Sequence, residues 1–65
     1  MLKNKIEKLL AKNGWTIERL VTEINSKKDF VSIESIINIL NGKKETKEEN
    51  EYLMSILTDI QIETL

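Results

Sequence analysis

Residues 16–44 read TIERLVTEINSKKDFVSIESIINILNGKK, and this stretch decides the fold. Each half places apolar residues at the i, i+3, i+4, i+7 spacing that puts them on one face of a helix. The first stripe is Ile17, Leu20, Val21 and Ile24, and the second is Ile33, Ile36, Ile37 and Leu40. Thr16 and Ser32 precede the stripes as suitable N-caps, and an Asn-Gly pair follows the second stripe. The stretch predicts helices near residues 16–25 and 32–41, joined by a polar loop.

The segments on either side carry the same helical signal. A first stripe ends at Asn13-Gly14, and a last one follows Thr46 and Glu49, which fit a capping box. The residues of these stripes are Leu2, Ile6, Leu9 and Leu10, then Leu53, Ile56, Leu57 and Ile60. We therefore expect helices near 2–13 and 46–60, and the alternating tail after them predicts a short strand or a frayed extension. The whole pattern predicts an all-α fold, a small four-helix bundle forming one domain over residues 1–65.

Composition excludes several classes of function. The 65 residues include no cysteine, histidine or proline. Disulfide frameworks, Cys/His zinc sites and histidine-dependent nucleophiles are therefore ruled out. No phosphate-binding loop is visible either, so we expect neither an enzyme nor a cofactor nor a metal site. The acidic cluster of Glu45, Glu48, Glu49 and Glu51 is interpreted as a solvated face.

The location and origin of the protein are indicated only by composition. No apolar run approaches the roughly 18–20 residues that span a bilayer, so we expect no membrane partner. The absence of cysteine and the charged, amphipathic start of the chain favour a cytoplasmic protein. Lysine outnumbers arginine nine to one, and isoleucine, asparagine and glutamate are abundant. This bias is typical of A/T-rich codons and indicates a low-GC bacterium, or one of its phages or mobile elements.

The formal net charge of −1 hides an uneven distribution. Residues 1–28 carry seven basic and three acidic groups, a net of +4. Residues 29–44 sum to 0, and residues 45–65 carry one basic and six acidic groups, a net of −5. A nearly neutral protein can thus present one basic and one acidic face, so the total charge does not exclude nucleic acid as a partner.

The order of residues in this central stretch resembles the helix-turn-helix of the Cro/C1-type (XRE) family. The matching residues are Thr16, Leu20-Val21, Ile24, Asn25, Ser32, Ile36, Ile39 and Asn41-Gly42-Lys43-Lys44. The resemblance implies a small DNA-binding transcriptional regulator, such as a repressor, whose third helix (32–41) is presented to the major groove. The chain departs from the family at Ile17, where glutamine is usual, and in a turn about five residues longer, Ser26–Phe30.

The nucleic-acid hypothesis assigns contacts around the third helix. Lysines flank that helix on both sides and could hold phosphates. Asn38 is the amide best suited to reading a base edge, whereas Glu34 would repel phosphates. The candidate contacts are Thr16, Lys27, Lys28, Ser32, Ser35, Asn38, Lys43, Lys44 and Lys47. The expected partner is double-stranded DNA, and we expect the protein to bind it as a homodimer.

An alternative hypothesis is a protein-interaction module, such as an inhibitor, antirepressor or adaptor. Its contact residues would be Phe30, Ile33, Ile37 and Tyr52. Two interpretations of Ile33 and Ile37 are open: a rotation of the third helix buries them, or they form an exposed apolar patch that pairs with a second copy or with another protein.

Overall fold

The computed structural model describes residues 2–27 and 29–65. Four helices account for most of them: α1 (Leu2–Asn13), α2 (Ile17–Ser26), α3 (Ile33–Leu40) and α4 (Lys47–Glu63). The described residues contain no strand, and the molecule measures 27 × 22 × 18 Å. The predicted all-α, four-helix architecture is confirmed.

Side-chain caps determine where α2, α3 and α4 begin. The hydroxyl oxygen of Thr16 accepts the Arg19 N–H at 3.1 Å, and that of Ser32 accepts the Ser35 N–H at 3.2 Å. Thr46 completes a full capping box, because it also donates its own N–H to the Glu49 carboxylate at 2.9 Å. Each helix begins one residue after its cap, since the cap itself has extended backbone angles.

Glycines follow two of the helices, and α4 extends beyond its predicted end. Gly14 and Gly42 follow α1 and α3 with φ of 65° and 93°, conformations that side chains with a Cβ rarely adopt. The tail after Ile60 is helical as far as Glu63, so the strand alternative is wrong. The tail extends α4 as regular helix. The reason is that a helix pairs its own backbone N–H and C=O groups in hydrogen bonds, whereas a strand needs a second strand to pair with.

One apolar cluster joins all four helices. It holds twelve buried residues, Leu2, Ile6, Leu9, Leu20, Ile24, Val31, Ile36, Ile39, Leu53, Ile56, Leu57 and Ile60. Around this core, α3 contacts α1 and α2, and α4 contacts the same two helices. The predicted stripes of α1, α2 and α4 supply it, with Leu10, Ile17 and Val21 packed at its margin.

The predicted stripe of α3 requires a correction. The structure buries Ile36 and Ile39, whereas Ile33 and Leu40 are half-buried and Ile37 is 38% exposed. Five of the eight residues of α3 are apolar, so the helix could turn any of several faces to the core. The exposure of Ile37 shows that α3 is not rotated so as to bury both Ile33 and Ile37.

Hydrogen bonds hold the connection between α2 and α3 against the bundle. The Val31 N–H donates to the Asn25 side-chain oxygen at 3.3 Å, and the Val31 side chain is buried in the core. The hydroxyl oxygen of Tyr52, on α4, accepts the Phe30 N–H at 3.2 Å. These contacts fix the start of α3, although the connection is longer than in the family that the sequence resembles.

Candidate nucleic-acid interface

An open groove of about 210 Å³ runs along one edge of α3. Its walls come from α3, from the segment after α3, from the connection before it and from the first half of α4. The lining residues are Phe30, Val31, Ser35, Asn38, Ile39, Lys43, Lys44, Glu45, Glu49, Tyr52 and Leu53. Buried Val31, Ile39 and Leu53 form its apolar floor, and the remaining side chains form a polar and aromatic rim.

Four of the predicted nucleic-acid contacts meet at this groove. Ser35 and Asn38 lie one helical turn apart on the exposed edge of α3, and Lys43 and Lys44 follow in the next segment. The Lys43 N–H donates to the Asn38 carbonyl oxygen at 2.9 Å, which folds this segment back along the end of α3. The four residues thus line the same groove, and the Ser35 hydroxyl also hydrogen-bonds the Ser32 hydroxyl at 3.0 Å.

Two carboxylates line the same groove. The pKa of Glu49 is held below its ordinary value, chiefly by the hydrogen bond from the Thr46 N–H, then by the Thr46 side chain, with a smaller contribution from the charge of Lys43. Glu49 is therefore anionic and committed to the helix cap. Glu45, which is half-buried, also lines the groove. Their charges partly offset those of Lys43 and Lys44.

The other predicted contacts lie elsewhere. The hydroxyl oxygens of Thr16 and Ser32 accept the backbone N–H groups of α2 and α3, so both residues serve as N-caps. Lys27 forms an ion pair with Glu63 at the end of α4. Lys47 is exposed at the first position of α4, and Lys28 lies outside the described residues.

The residues predicted for protein interaction do not form one patch. Phe30 is 78% exposed and Tyr52 is 46% exposed, and both lie on the rim of the groove, joined by their hydrogen bond. Ile33 and Ile37 lie one turn apart on α3 and do not line the groove. The apolar edge of α3 and its aromatic-lined groove are therefore separate surfaces.

Sequence reasoning missed the contribution of Glu45 and Glu49 to this site. Helical spacing places Glu45 and Glu49 on a different side from Glu48 and Glu51, and all four are interpreted as solvated. The signal is present in the capping box, because the pairing of Glu49 with Thr46 turns that carboxylate towards the segment that carries the lysines. Sequence reasoning also assigns the aromatic pair to a different surface from Asn38, whereas the groove brings the three side chains together.

Within residues 2–27 and 29–65, no group of three or more carboxylate side chains is arranged to hold a metal ion. The helices described there also include none that is long and apolar enough to cross a membrane. Comparisons of the chain with protein-family models, curated proteins and solved structures found no match. The groove and its rim are therefore the features of the molecule that bear on its function.

Proposed function

We propose that this protein is a small DNA-binding transcriptional regulator that inserts the exposed edge of α3 into the major groove. The observation that carries the proposal is the meeting of Ser35, Asn38, Lys43 and Lys44 along one edge of that helix. The burial of Ile36 and Ile39 supports it further, because these are the two apolar residues that the Cro/C1-type pattern places three apart.

The dimensions and the chemistry of α3 suit this role. An α-helix with its side chains is about 10–12 Å across, which fits the roughly 12 Å width of the major groove of B-DNA, and the eight residues of α3 extend over about 12 Å along the helix axis. The Asn38 amide has the donor and acceptor that an adenine edge requires, and the Ser35 hydroxyl can pair with several bases. Lys43 and Lys44 would contact phosphates, which position the helix without reading sequence.

The proposal is tested by titrating a labelled duplex of mixed sequence and following fluorescence anisotropy over a range of salt concentrations. We expect binding that weakens steeply with salt, because lysines on phosphates release counterions. Lys43→Glu combined with Lys44→Glu should weaken binding and flatten the slope of log K against log salt by about 0.9 for each phosphate that is no longer neutralised.

The matched control is Lys3→Glu combined with Lys8→Glu, which changes the net charge equally but lies on α1. This control should keep most of the affinity. Absence of duplex binding at low salt, or equal losses in the two double variants, would contradict the proposal. Circular dichroism checks that both variants remain helical.

Sequence readout is tested separately through Asn38. Once a preferred site has been selected from a random duplex library, Asn38→Ala should reduce the preference for that site by about 1–3 kcal/mol. Its binding to non-specific duplex and its salt slope should stay unchanged, because the lysines still neutralise the same phosphates. An equal loss on specific and non-specific duplexes would show that Asn38 does not read a base.

A second candidate function is protein interaction, and the exposure of Phe30 favours it. An aromatic side chain that is 78% exposed and whose backbone is held by Tyr52 has the character of a contact residue at a protein interface. This function predicts that Phe30→Ser abolishes capture of a specific protein from a bacterial extract, while Ile37→Ser retains it. Duplex binding by the Phe30→Ser variant at wild-type strength would separate this function from the first.

A further inference from the structure

A stripe of lysines runs along one side of α1. Lys5, Lys8 and Lys12 are spaced by three and four residues, so they lie on the same side of the helix over about 10 Å. They border a shallow cleft of about 50 Å³ together with Leu9 and with Gln61 from α4. We refer to Lys5, Lys8 and Lys12 as the lysine stripe.

An acidic ridge occupies the outer face of α4. Glu51, Ser55 and Asp59 follow one another at intervals of four residues, all three are exposed, and Glu48 lies beside them one turn earlier. The distance along the helix from Glu51 to Asp59 is about 12 Å. The opposite face of α4 packs in the core through Leu53, Ile56, Leu57 and Ile60.

Neither surface is neutralised within the described part of the chain. The two ion pairs found among residues 2–27 and 29–65 are Arg19–Glu23 and Lys27–Glu63, and neither includes the lysine stripe or the acidic ridge. The formal net charge of the whole chain is only −1, so two copies repel each other weakly. Each copy therefore offers a basic surface and a complementary acidic surface of similar length.

We propose that a second copy of this chain covers the lysine stripe, with the lysine stripe of one copy lying along the acidic ridge of the other. The lengths of about 10 Å and 12 Å allow Lys5 and Lys12 to approach Glu51 and Asp59 simultaneously. Because exposed ion pairs are individually weak and screened by salt, this self-association is weak and is strongest at low ionic strength.

The lysine stripe lies away from the lysines proposed to contact DNA beside α3. The stripe lies beside Gln61, which is fourteen residues beyond Lys47 and about 21 Å from it along α4. The candidate phosphate contacts Lys43 and Lys44 precede Lys47 in the chain, at the opposite end of that helix. The lysine stripe is therefore a separate surface from the candidate phosphate contacts.

Sedimentation velocity of the full chain without DNA, at high protein concentration and at low and high ionic strength, tests the proposal. The wild-type protein should associate at low ionic strength and dissociate at high ionic strength. Lys8→Glu combined with Lys12→Glu should abolish association. Lys3→Glu combined with Lys44→Glu carries the same change of net charge outside the stripe and should retain it.

The decisive experiment adds a variant with the opposite ridge charge, Glu51→Lys combined with Asp59→Lys. Each double variant alone should be monomeric, and an equimolar mixture of the stripe variant and the ridge variant should associate, because the reversed charges again face opposite charges. Misfolding cannot produce this rescue, and circular dichroism checks each variant alone.

A wild-type protein that is monomeric at low ionic strength, or a mixture that does not associate, would overturn the proposal. It would also be overturned if the stripe variant no longer bound duplex while its self-association was unchanged, since the stripe would then be a phosphate contact. No DNA is present in the association experiments, so their failure leaves the proposed function untouched.

Discussion

The helices α2 and α3 differ in how they expose apolar side chains. Both begin at a hydroxyl cap and both bury two aliphatic residues, Leu20 and Ile24 in α2. Outside the core, α2 presents charged residues, including the Arg19–Glu23 ion pair. By contrast, α3 has a single charged residue and leaves Ile37 partly in solvent. The exposed side of α2 is therefore charged, whereas that of α3 is largely uncharged and partly apolar.

The largest effect is expected from comparing two neighbouring isoleucines of α3. Ile36 is completely buried and Ile37 is 38% exposed. Ile36→Ala should lower the free energy of unfolding by about 2–5 kcal/mol, because it leaves a cavity in a small core. Ile37→Ala should lower it by well under about 1 kcal/mol, as is usual for surface positions. Urea unfolding followed by circular dichroism measures both values.

A buried leucine of α2 provides the control for that comparison. Leu20→Ala removes a side chain that is buried as completely as Ile36 and should cost a similar amount. Equal losses for Ile36→Ala and Ile37→Ala would mean that α3 is rotated relative to the orientation described above. The contrast between the two faces of α3 would then be wrong.

The next effect concerns how the two helices end. α3 is followed by Gly42 at a φ of 93°, whereas Lys27 after α2 has a φ of −97°. Gly42→Ala should cost about 1–3 kcal/mol, because alanine is strained at this φ even though no atom lies within 4 Å of the added Cβ. Thermal unfolding measures the loss, and an unchanged melting temperature would contradict the strained geometry.

Smaller and equal effects are expected at the two N-caps. The Thr16 and Ser32 oxygens accept N–H groups three residues ahead at 3.1 and 3.2 Å. Thr16→Ala and Ser32→Ala should each lower stability by about 1 kcal/mol. A much larger loss of duplex binding than of stability in Ser32→Ala would assign that hydroxyl a contact with DNA in addition to its cap.

The smallest effect is a pH dependence at the start of α4, where the N-cap is part of a capping box with a carboxylate. The pKa of Glu49 is lowered from 4.5 by the Thr46 backbone hydrogen bond, so its contribution to stability is complete above pH 4.5. That contribution is lost as the pH falls through the lowered pKa. Glu49→Gln should therefore be less stable than the wild-type protein near neutral pH, and the difference should shrink in acid. Unfolding curves at several pH values measure it.

Much of the fold can be predicted from the sequence because its local signals agree. Caps at Thr16, Ser32 and Thr46 and glycines after α1 and α3 mark the helix boundaries within a few residues. The orientation of α3 could not be predicted from periodicity, since five apolar residues in eight allow several faces. It is set by long-range packing of Ile36 and Ile39, together with the burial of Val31 in the connection before α3.

The candidate site could be predicted only in part. Residue type and position predict Ser35, Asn38, Lys43 and Lys44, which line the groove together, whereas the other predicted contacts lie elsewhere. The sequence does not predict that Lys27 pairs with Glu63, because the two residues are far apart in the chain. Lys27 is therefore included among the predicted DNA contacts. The sequence does not predict the hydrogen bond between Phe30 and Tyr52 either, because it joins them across twenty-two residues.

The most direct test of DNA recognition by α3 is a titration of the ¹⁵N-labelled protein with duplex DNA, followed by amide chemical shifts. We expect the largest shifts at Ser35, Asn38, Lys43 and Lys44, with α1 almost unaffected, and we expect these shifts to disappear as salt is raised. Shifts confined to α1, or no shifts at low salt, would contradict DNA recognition by α3.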